Sequence, residues 1–588
     1  MTKIKVLFIN LNTQKIKIEY ISPKGTLLGG SGLAAWLYEQ YGLFNQPAEH
    51  PKQPLIFSIG PLTGLYPMMS KVVMAFKSPY NQQYAESHAG GRLALAIKFS
   101  GYHAIVIQGK CPQLSVIEVG DKKINFFSTP FLKQEDVFNT GKILRKISTL
   151  PPGKRSILRI GPAGENQIAI ACVNVDTYRH FGRLGGGAIF GAKNLKGIII
   201  GGNSSYSLQN LSNLKEYNNL YQQIYNTITT TKAVHKYHDI GTAQNLIPLN
   251  ELRCLPWNNL QKTSDPGIKG ISGELFAQKL LLRKAACSGC PVGCIHIGIL
   301  REQFAKEHEY LYRQVSYDYE PIFALGSMLG IKRAKQVLKL LDKVEKVGLD
   351  AISSGVLLAY VTEGLEKKLF HSKQTLVNLK FGQPKNYLKA IDYLGTPPNN
   401  FWQILSKGLK NAIQNLGGED FACVLGQEMA GYATGENYFV AQALGFRHSH
   451  LDVGAYSFDQ ESECKDIQKA LKFFQKEENY RVILTSCVGC LFARKAYPLE
   501  ILAKALSSVD LNFSESELFQ LGEQIAAKRW NLKIKTGFNP LTVRIPKRFL
   551  SVKTFKGKID KNYLQNLQKQ YANYIKQLAN KDFTPTKK

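Results

Sequence analysis

Over the first 200 residues, apolar positions come in short runs broken by Gly, Pro or charged residues. The segments at 5–11 (KVLFINL), 15–21 (KIKIEYI), 54–60 (PLIFSIG), 103–109 (HAIVIQG), 114–120 (LSVIEVG), 156–161 (SILRIG) and 168–175 (IAIACVNV) are short and rich in Ile and Val. That pattern predicts strands. Residues 201–212 (GGNSSYSLQNLS) form a polar break that suits a boundary. Beyond it the spacing turns helical: Val337, Leu338, Leu341, Val344 and Val347 share one face, and 276–286 (FAQKLLLRKAA) also predicts a helix. No internal repeat emerges. The expected class is α+β, with a β-rich N-terminal domain over 1–203 and two mostly α-helical domains over 204–395 and 396–588.

At 588 residues the chain is too long for one core, which agrees with several domains. No run of 18 apolar residues predicts a membrane helix. The first residues, MTKIKVLFINLN, lack the apolar core and cleavage site of a signal peptide, so the cytoplasm is the expected compartment. The net charge of +31 first suggests nucleic acid, but the lysines are scattered and no nucleic-acid-binding motif accompanies them. Acidic protein partners or plain solubility account for the charge equally well. Only the tail concentrates it: 544–588 holds twelve basic residues against Asp560 and Asp582.

Ten cysteines are present. Cys111, Cys172, Cys254, Cys423 and Cys464 are scattered, and the other five form two tight groups. Reduced, metal-binding thiols fit this spacing better than a disulfide framework. Cys287, Cys290 and Cys294 form C-x2-C-x3-C in a loop made tight by Gly289, Pro291 and Gly293. A cubane cluster needs a fourth thiolate, which Cys487 or Cys490 in SCVGCLF can supply. Zinc is the rival, although paired C-x-x-C groups are more typical of it. Buried or redox-active thiols are the third reading.

A second segment at 174–196, NVDTYRHFGRLGGGAIFGAKNLK, sets Arg179 and Arg183 around Gly182 and follows them with Gly185, Gly186 and Gly187. Glycines let backbone N–H groups approach an anion, and guanidiniums grip phosphate with paired hydrogen bonds. A phosphate cradle and a glycine-rich turn with solvated charges are both compatible with it.

Together these pieces resemble the aldehyde:ferredoxin oxidoreductase family. The resemblance runs through GPLTG at Gly60–Gly64, KSP at Lys77–Pro79, AGG at Ala89–Gly91 and KFSGYHAIVIQGK at Lys98–Lys110. It continues through GPAGEN at Gly161–Asn166, R-x-x-GR-x-GGGA-x-x-GAKNLK from Arg179, YEP-x-x-ALG from Tyr319 and GLDAISSG at Gly348–Gly355. The resemblance implies a tungsten or molybdenum centre held by two pterins, beside a [4Fe–4S] cluster that carries electrons to ferredoxin. The β-rich domain would form the base under the pterins. By position, Arg179, His180, Gly182, Arg183, Lys71, His88, Gly90, Glu345, Leu349, Asp350 and Leu491 are the implied cofactor contacts. Cys287, Cys290, Cys294 and Cys490 are the implied cluster ligands, since Phe492 completes the family's C-x-F; Cys487 is then an extra thiol.

The resemblance also implies that Glu320 and His450 are catalytic. Oxidising an aldehyde to an acid requires a base or hydrogen-bond donor beside the reacting oxygen. Without it, Glu320 reads as a helix-start carboxylate, His450 as a structural histidine, and His448 is its rival. Burial that raises the pKa of Glu320 would let it share the proton. Asp452, where the family has a basic residue, is expected to raise the pKa of His450. Lys71, His88 and Thr485 also depart from the family pattern, which suggests a divergent branch. Lys339 stands where some members have a glutamate that bridges two subunits through a metal, although a homodimer remains an ordinary arrangement. The expected function is interconversion of an aldehyde and a carboxylic acid, with ferredoxin or another small acidic carrier as partner. The alternatives are the same cofactors acting on another substrate, such as an aromatic thioester, and a cluster-only electron-transfer or scaffold protein.

Overall fold

The computed structural model describes residues 3–22, 27–204, 211, 213–462, 465–581 and 583. Cys464, most of the polar break at 201–212 and the end of the basic tail lie outside the described residues.

The N-terminal apolar runs build two six-stranded mixed sheets. One has the order Ile16–Ile21, Ile4–Asn10, Ala104–Gln108, Leu55–Ser58, Val72–Lys77, Tyr84–Ala89. The other runs Arg179–Phe181, Val173–Val175, Arg155–Arg159, Leu195–Gly201, Ser115–Val119, Ile124–Ser128. Their facing sides share one core, in which Leu7, Phe57 and Met74 of the first sheet meet Ile117, Leu158 and Ile198 of the second. Phe57 packs against Phe181 and Phe190, with ring centroids 5.9 and 6.4 Å apart. Each such ring removed from water contributes about 1.5–3 kcal/mol. Helices also interrupt this region, at Gly30–Tyr41, Leu93–Phe99, Val137–Ile147 and Gly186–Ala192.

The rest of the chain is mainly helical. The helix Ala334–Val347 carries the predicted apolar face, with Val337, Leu338, Leu341, Val344 and Val347 buried. It ends at Gly348 in the left-handed region (φ 83°), a C-terminal cap that suits glycine. The next helix, Ala351–Glu366, is capped by Asp350, whose carboxylate accepts from the N–H groups of Ile352 and Ser353.

Two predicted elements differ. Residues 276–286 do not form one helix: the helix Gly273–Lys279 stops, and Leu281–Ala285 becomes a strand. It is the edge of a three-stranded antiparallel sheet with Ile295–Gln303 and Tyr310–Tyr317. Pairing of Ala285 with Ile295 closes the base of the cysteine loop, and that tertiary contact overrides local helix preference. In 168–175 only Val173–Val175 is a strand.

Candidate active site

The cysteine loop is the hairpin connection of that small sheet, so Cys287, Cys290 and Cys294 hang between two paired strands. Met68 ties it to the distant C-x2-C segment. Its N–H donates to the Gly289 carbonyl (2.9 Å) and its own carbonyl accepts from Cys490 N–H (3.1 Å). Lys71 N–H donates to Val488 O at 3.0 Å. The four thiols thereby meet although 200 residues separate them. Cys487 points elsewhere: it is fully buried in an apolar cluster, and burial pushes its thiol up to about 12.

Lys71 and Arg179 supply positive charge. Burial raises the Cys287 thiol, but Lys71 and Arg179 outweigh it and hold Cys287 below its ordinary value. Burial pushes Cys290 up to about 12 and Cys294 up to about 11. Burial opposes charge on Lys71 as well, but the Cys490 and Cys287 thiolates beside it raise its pKa overall. Four ionised thiols here require further positive charge, as iron would bring. No three His, Cys, Asp or Glu side chains among the described residues close tightly enough for a single metal ion. Tetrahedral zinc holds its thiolates ~2.3 Å from one point. The four thiols line the wall of one cavity, where they are the four thiolates that a four-iron cluster needs.

That cavity has a volume of about 420 Å3, and every sequence-predicted site residue lines it. Arg183 donates from Nε to Asp350 (3.2 Å) and from Nη2 to the Glu428 carbonyl (2.8 Å), while its Nη1 is buried without a partner. Arg179 Nε is orphaned in the same way. His180 lies 2.9 Å from Glu345 through Nε2. Leu349 is buried, and Leu491 opens a short 3-10 turn after Cys490. His88 has both ring nitrogens engaged, Nε2 with Glu86 and Nδ1 with Arg447, each at 3.2 Å. Burial, then Arg447, lowers its pKa to about 4, so His88 is neutral with Nδ1 accepting.

Two glycines are needed for different reasons. A methyl on Gly90 would lie 2.7 Å from Cys287 Sγ and 2.9 Å from Lys71 Nζ. A methyl on Gly182 would meet nothing within 4 Å, yet Gly182 faces the cavity. Only a bound group would need its backbone bare. With the orphaned guanidinium nitrogens, this is the donor set that an anionic cofactor fits.

Glu320 and His450 converge from 130 residues apart. Glu320 sits in the first turn of the helix Tyr319–Leu325. His450 Nε2 is 3.1 Å from Glu320 Oε1, with side-chain exposures of 11% and 14%. Tyr432 donates to the same oxygen at 3.0 Å. Burial works to raise Glu320, but the hydrogen bond from His450 leads the effects that outweigh it and hold the carboxyl below its ordinary value. The condition for Glu320 to share the proton, a pKa raised by burial, is therefore not met: Glu320 is a carboxylate in contact with His450. The His450 Nδ1 is buried without a partner. The Asp452 carboxylate is turned to Arg447 and the turn backbone. It accepts from Arg447 Nε (2.8 Å) and from the N–H groups of Arg447 and Ser449. His448, the rival, bonds Ala443 O and faces Lys533 at 3.1 Å.

Asp318, Tyr432 and Tyr237 are among the cavity residues that sequence reasoning missed. Asp318, two positions before Glu320, has a buried unpartnered Oδ1, and burial with the nearby Glu320 pushes it up to about 7. Tyr432 stacks on Tyr456 with centroids 4.8 Å apart, beside His450. Tyr237 stacks on Phe492 at 4.1 Å beside Cys490. Only Asp318 had a signal, its proximity to Glu320.

Thiols held against cations, together with a carboxylate–imidazole pair in the same cavity, define an oxidoreductase built around a bound redox group. The sequence places it further. Residues 6–202 match the profile "Aldehyde ferredoxin oxidoreductase, N-terminal domain", and residues 219–578 match "Aldehyde ferredoxin oxidoreductase, domains 2 & 3". The chain belongs to the aldehyde ferredoxin oxidoreductase family. It is 27% identical over 573 residues to the tungsten-containing aldehyde ferredoxin oxidoreductase of Pyrococcus furiosus, covering 92% of this chain and 90% of that one. It is 24% identical over 469 residues to the aliphatic sulfonate oxidoreductase, WOR-like subunit, of the same organism, covering 76% and 72%. Its fold matches the solved active-site complex BamBC of benzoyl coenzyme A reductase with 1,5-dienoyl-CoA. There the TM-score is 0.80 at 18% identity, over 97% of this chain and 94% of that one. Among the described residues no helix is long and apolar enough to cross a membrane.

Proposed function

We propose that this chain interconverts an aldehyde and a carboxylic acid at a tungsten or molybdenum bis-pterin centre, exchanging electrons with ferredoxin or a similar small acidic carrier. The observation that carries this reading is the Glu320–His450 pair, 3.1 Å apart, opening on the cavity shared by the four thiols and the glycine–arginine segment. When bound, the pterin-held metal supplies the two-electron change and the [4Fe–4S] cluster the one-electron relay.

Cys287, Cys290, Cys294 and Cys490 hold the cluster in this reading, with Lys71 and Arg179 offsetting its negative charge. Arg179, Arg183 and the bare Gly182 backbone grip the pterins, and His88, Gly90, Leu349 and Leu491 shape their bed. Glu320 accepts from the Nε2–H of His450 and fixes that tautomer. The lone pair of Nδ1 is then free to take a proton from the water oxygen that adds to the aldehyde carbon. Oxidation consumes one water and releases two electrons and two protons per acid formed.

The test is anaerobic purification followed by metal, iron and pterin analysis, then aldehyde-dependent reduction of benzyl viologen. Tungsten or molybdenum with pterin and about four irons per chain is expected. Protein that lacks pterin after expression in a tungsten-supplied host would overturn the proposal. A fully loaded protein inert to a broad aldehyde panel would overturn the substrate assignment alone.

A further inference from the structure

A second cavity, about 350 Å3, opens on the surface behind the cysteine loop. Its floor includes Ala285, Ala286 and Ser288, which flank Cys287. Ala286 is exposed, and Ser288 N–H is bonded to Gly91 O at 3.0 Å. Its walls carry Arg92, Arg145 and Arg155. Arg179 lines both this groove and the central cavity, and with the Ser288–Gly91 backbone contact it forms the wall between them.

The three outer guanidiniums are crowded. Arg155 donates to the carbonyls of Ser148, Leu150 and Arg145, and Arg145 to those of Gly141 and Asp176. Arg92 donates to Pro152 O at 2.9 Å. None of the three pairs with a carboxylate within 4.0 Å among the described residues. The Asp176 carboxylate in the same groove is turned to Ser156 Oγ and Ile157 N–H. Arg92 and Arg145 are exposed. Their carbonyl partners fix their positions, and Asp176 in the groove with Glu118 near Arg155 offsets only part of the charge of the three guanidiniums.

We infer that this groove is where an acidic one-electron carrier protein docks. The inference rests on the proposed function, which places a redox centre behind Cys287. Charge complementarity selects an acidic surface. The thin wall of Ser288, Gly91 and Arg179 explains why a redox partner, and not a nucleic acid, uses this groove: nothing about nucleic-acid binding requires closeness to a buried thiol. One electron crosses per encounter, the protein's centre being oxidised and the carrier reduced, with no bond made or broken.

The test uses the full-length, anaerobically purified protein, an acidic two-cluster ferredoxin and the small dye benzyl viologen. Arg92→Glu/Arg145→Glu is compared with Lys385→Glu/Lys389→Glu, a double charge reversal on exposed lysines beside the helix Ala334–Val347. Arg92→Glu alone serves if the double variant fails to fold. Ferredoxin affinity is read by biolayer interferometry across a salt series. Reoxidation of dithionite-reduced protein is read by stopped flow with each acceptor. The groove variant is expected to bind ferredoxin and reduce it at least ~10-fold more weakly at low salt, with the dye rate unchanged. The lysine variant should behave as wild type. Equal loss in both variants, or no loss in the groove variant, overturns the inference. So does loss of single-stranded oligonucleotide binding with ferredoxin binding intact, which would assign the groove to nucleic acid. Protein with no reducible cluster signal would instead refute the proposed function on which the inference stands.

Discussion

Gly182 and Gly90 give the most discriminating pair of substitutions, because the same added methyl does opposite things. Gly182 has no positive φ, and its new Cβ would meet no atom within 4 Å. Gly182→Ala should therefore leave the chain's own stability unchanged or raise it by ~0.4–1 kcal/mol through a less flexible unfolded state. Any penalty must come from the bound group. A methyl forced against a ligand costs about 1–3 kcal/mol, which at 1.4 kcal/mol per decade is roughly a fivefold to 140-fold loss of affinity. Gly90→Ala puts its methyl 2.7 Å from Cys287 Sγ and 2.9 Å from Lys71 Nζ, well inside the ~3.5–4.0 Å of ordinary contact. It should displace a thiol and lose iron. The assay is metal content by mass spectrometry, pterin as its fluorescent oxidation product, and thermal melting of each variant. Gly182→Ala should lose pterin and tungsten or molybdenum while keeping iron, and Gly90→Ala should lose iron. A fully loaded Gly182→Ala, or identical losses in the two variants, would refute the reasoning.

Other outcomes follow from the same geometry. Cys290→Ala and Cys490→Ala should each abolish the cluster's visible absorption while Cys487→Ala keeps it; loss in Cys487→Ala with the cluster intact in Cys490→Ala would assign the fourth ligand to Cys487. Glu320→Gln and His450→Ala should retain metal and iron but lose aldehyde oxidation by about 10²-fold or more, and turnover within a few-fold of wild type would remove their catalytic role. His88 is held at about 4 against its ordinary 6.5. Its contribution is present above pH 6.5 and lost as pH falls towards 4, by up to about 3 kcal/mol at 1.36 kcal/mol per unit. His88→Asn should flatten the pH dependence of denaturant unfolding across that interval, and an unchanged slope would refute the assignment.

Much of the fold was legible because strands buried on both faces are unbroken Ile and Val runs. The strand Tyr84–Ala89 was not, because Glu86, Ser87 and His88 turn polar side chains into the protein interior. A strand that carries a site reads as a loop. The segment Leu281–Ala285 was misread because only its partner strand, invisible to local periodicity, decides its conformation. Among site residues, the C-x2-C-x3-C loop and the glycine–arginine segment announced themselves by spacing. Glu320 and His450 needed the family resemblance, since neither has a local pattern. Tyr432 left no trace in the sequence at all. The ion pair of Asp452 with Arg447 was not legible either, because closeness in sequence says nothing about the direction in which a turn presents a carboxylate.

The hydrogen bonds of Met68 to Gly289 and Cys490 also bear on the timing of assembly. The earlier three thiols are synthesised by residue 294, but the set is not complete until residue 490 has left the ribosome and folded against a strand connection made near residue 68. Until then the cysteine hairpin, already able to bond to Met68 through Gly289, lacks its last thiol. A chain truncated before Cys490 would present three reactive thiols with nothing to close over them. A four-thiol site for iron and sulfide therefore exists only once residue 490 has been made and has folded back onto Met68.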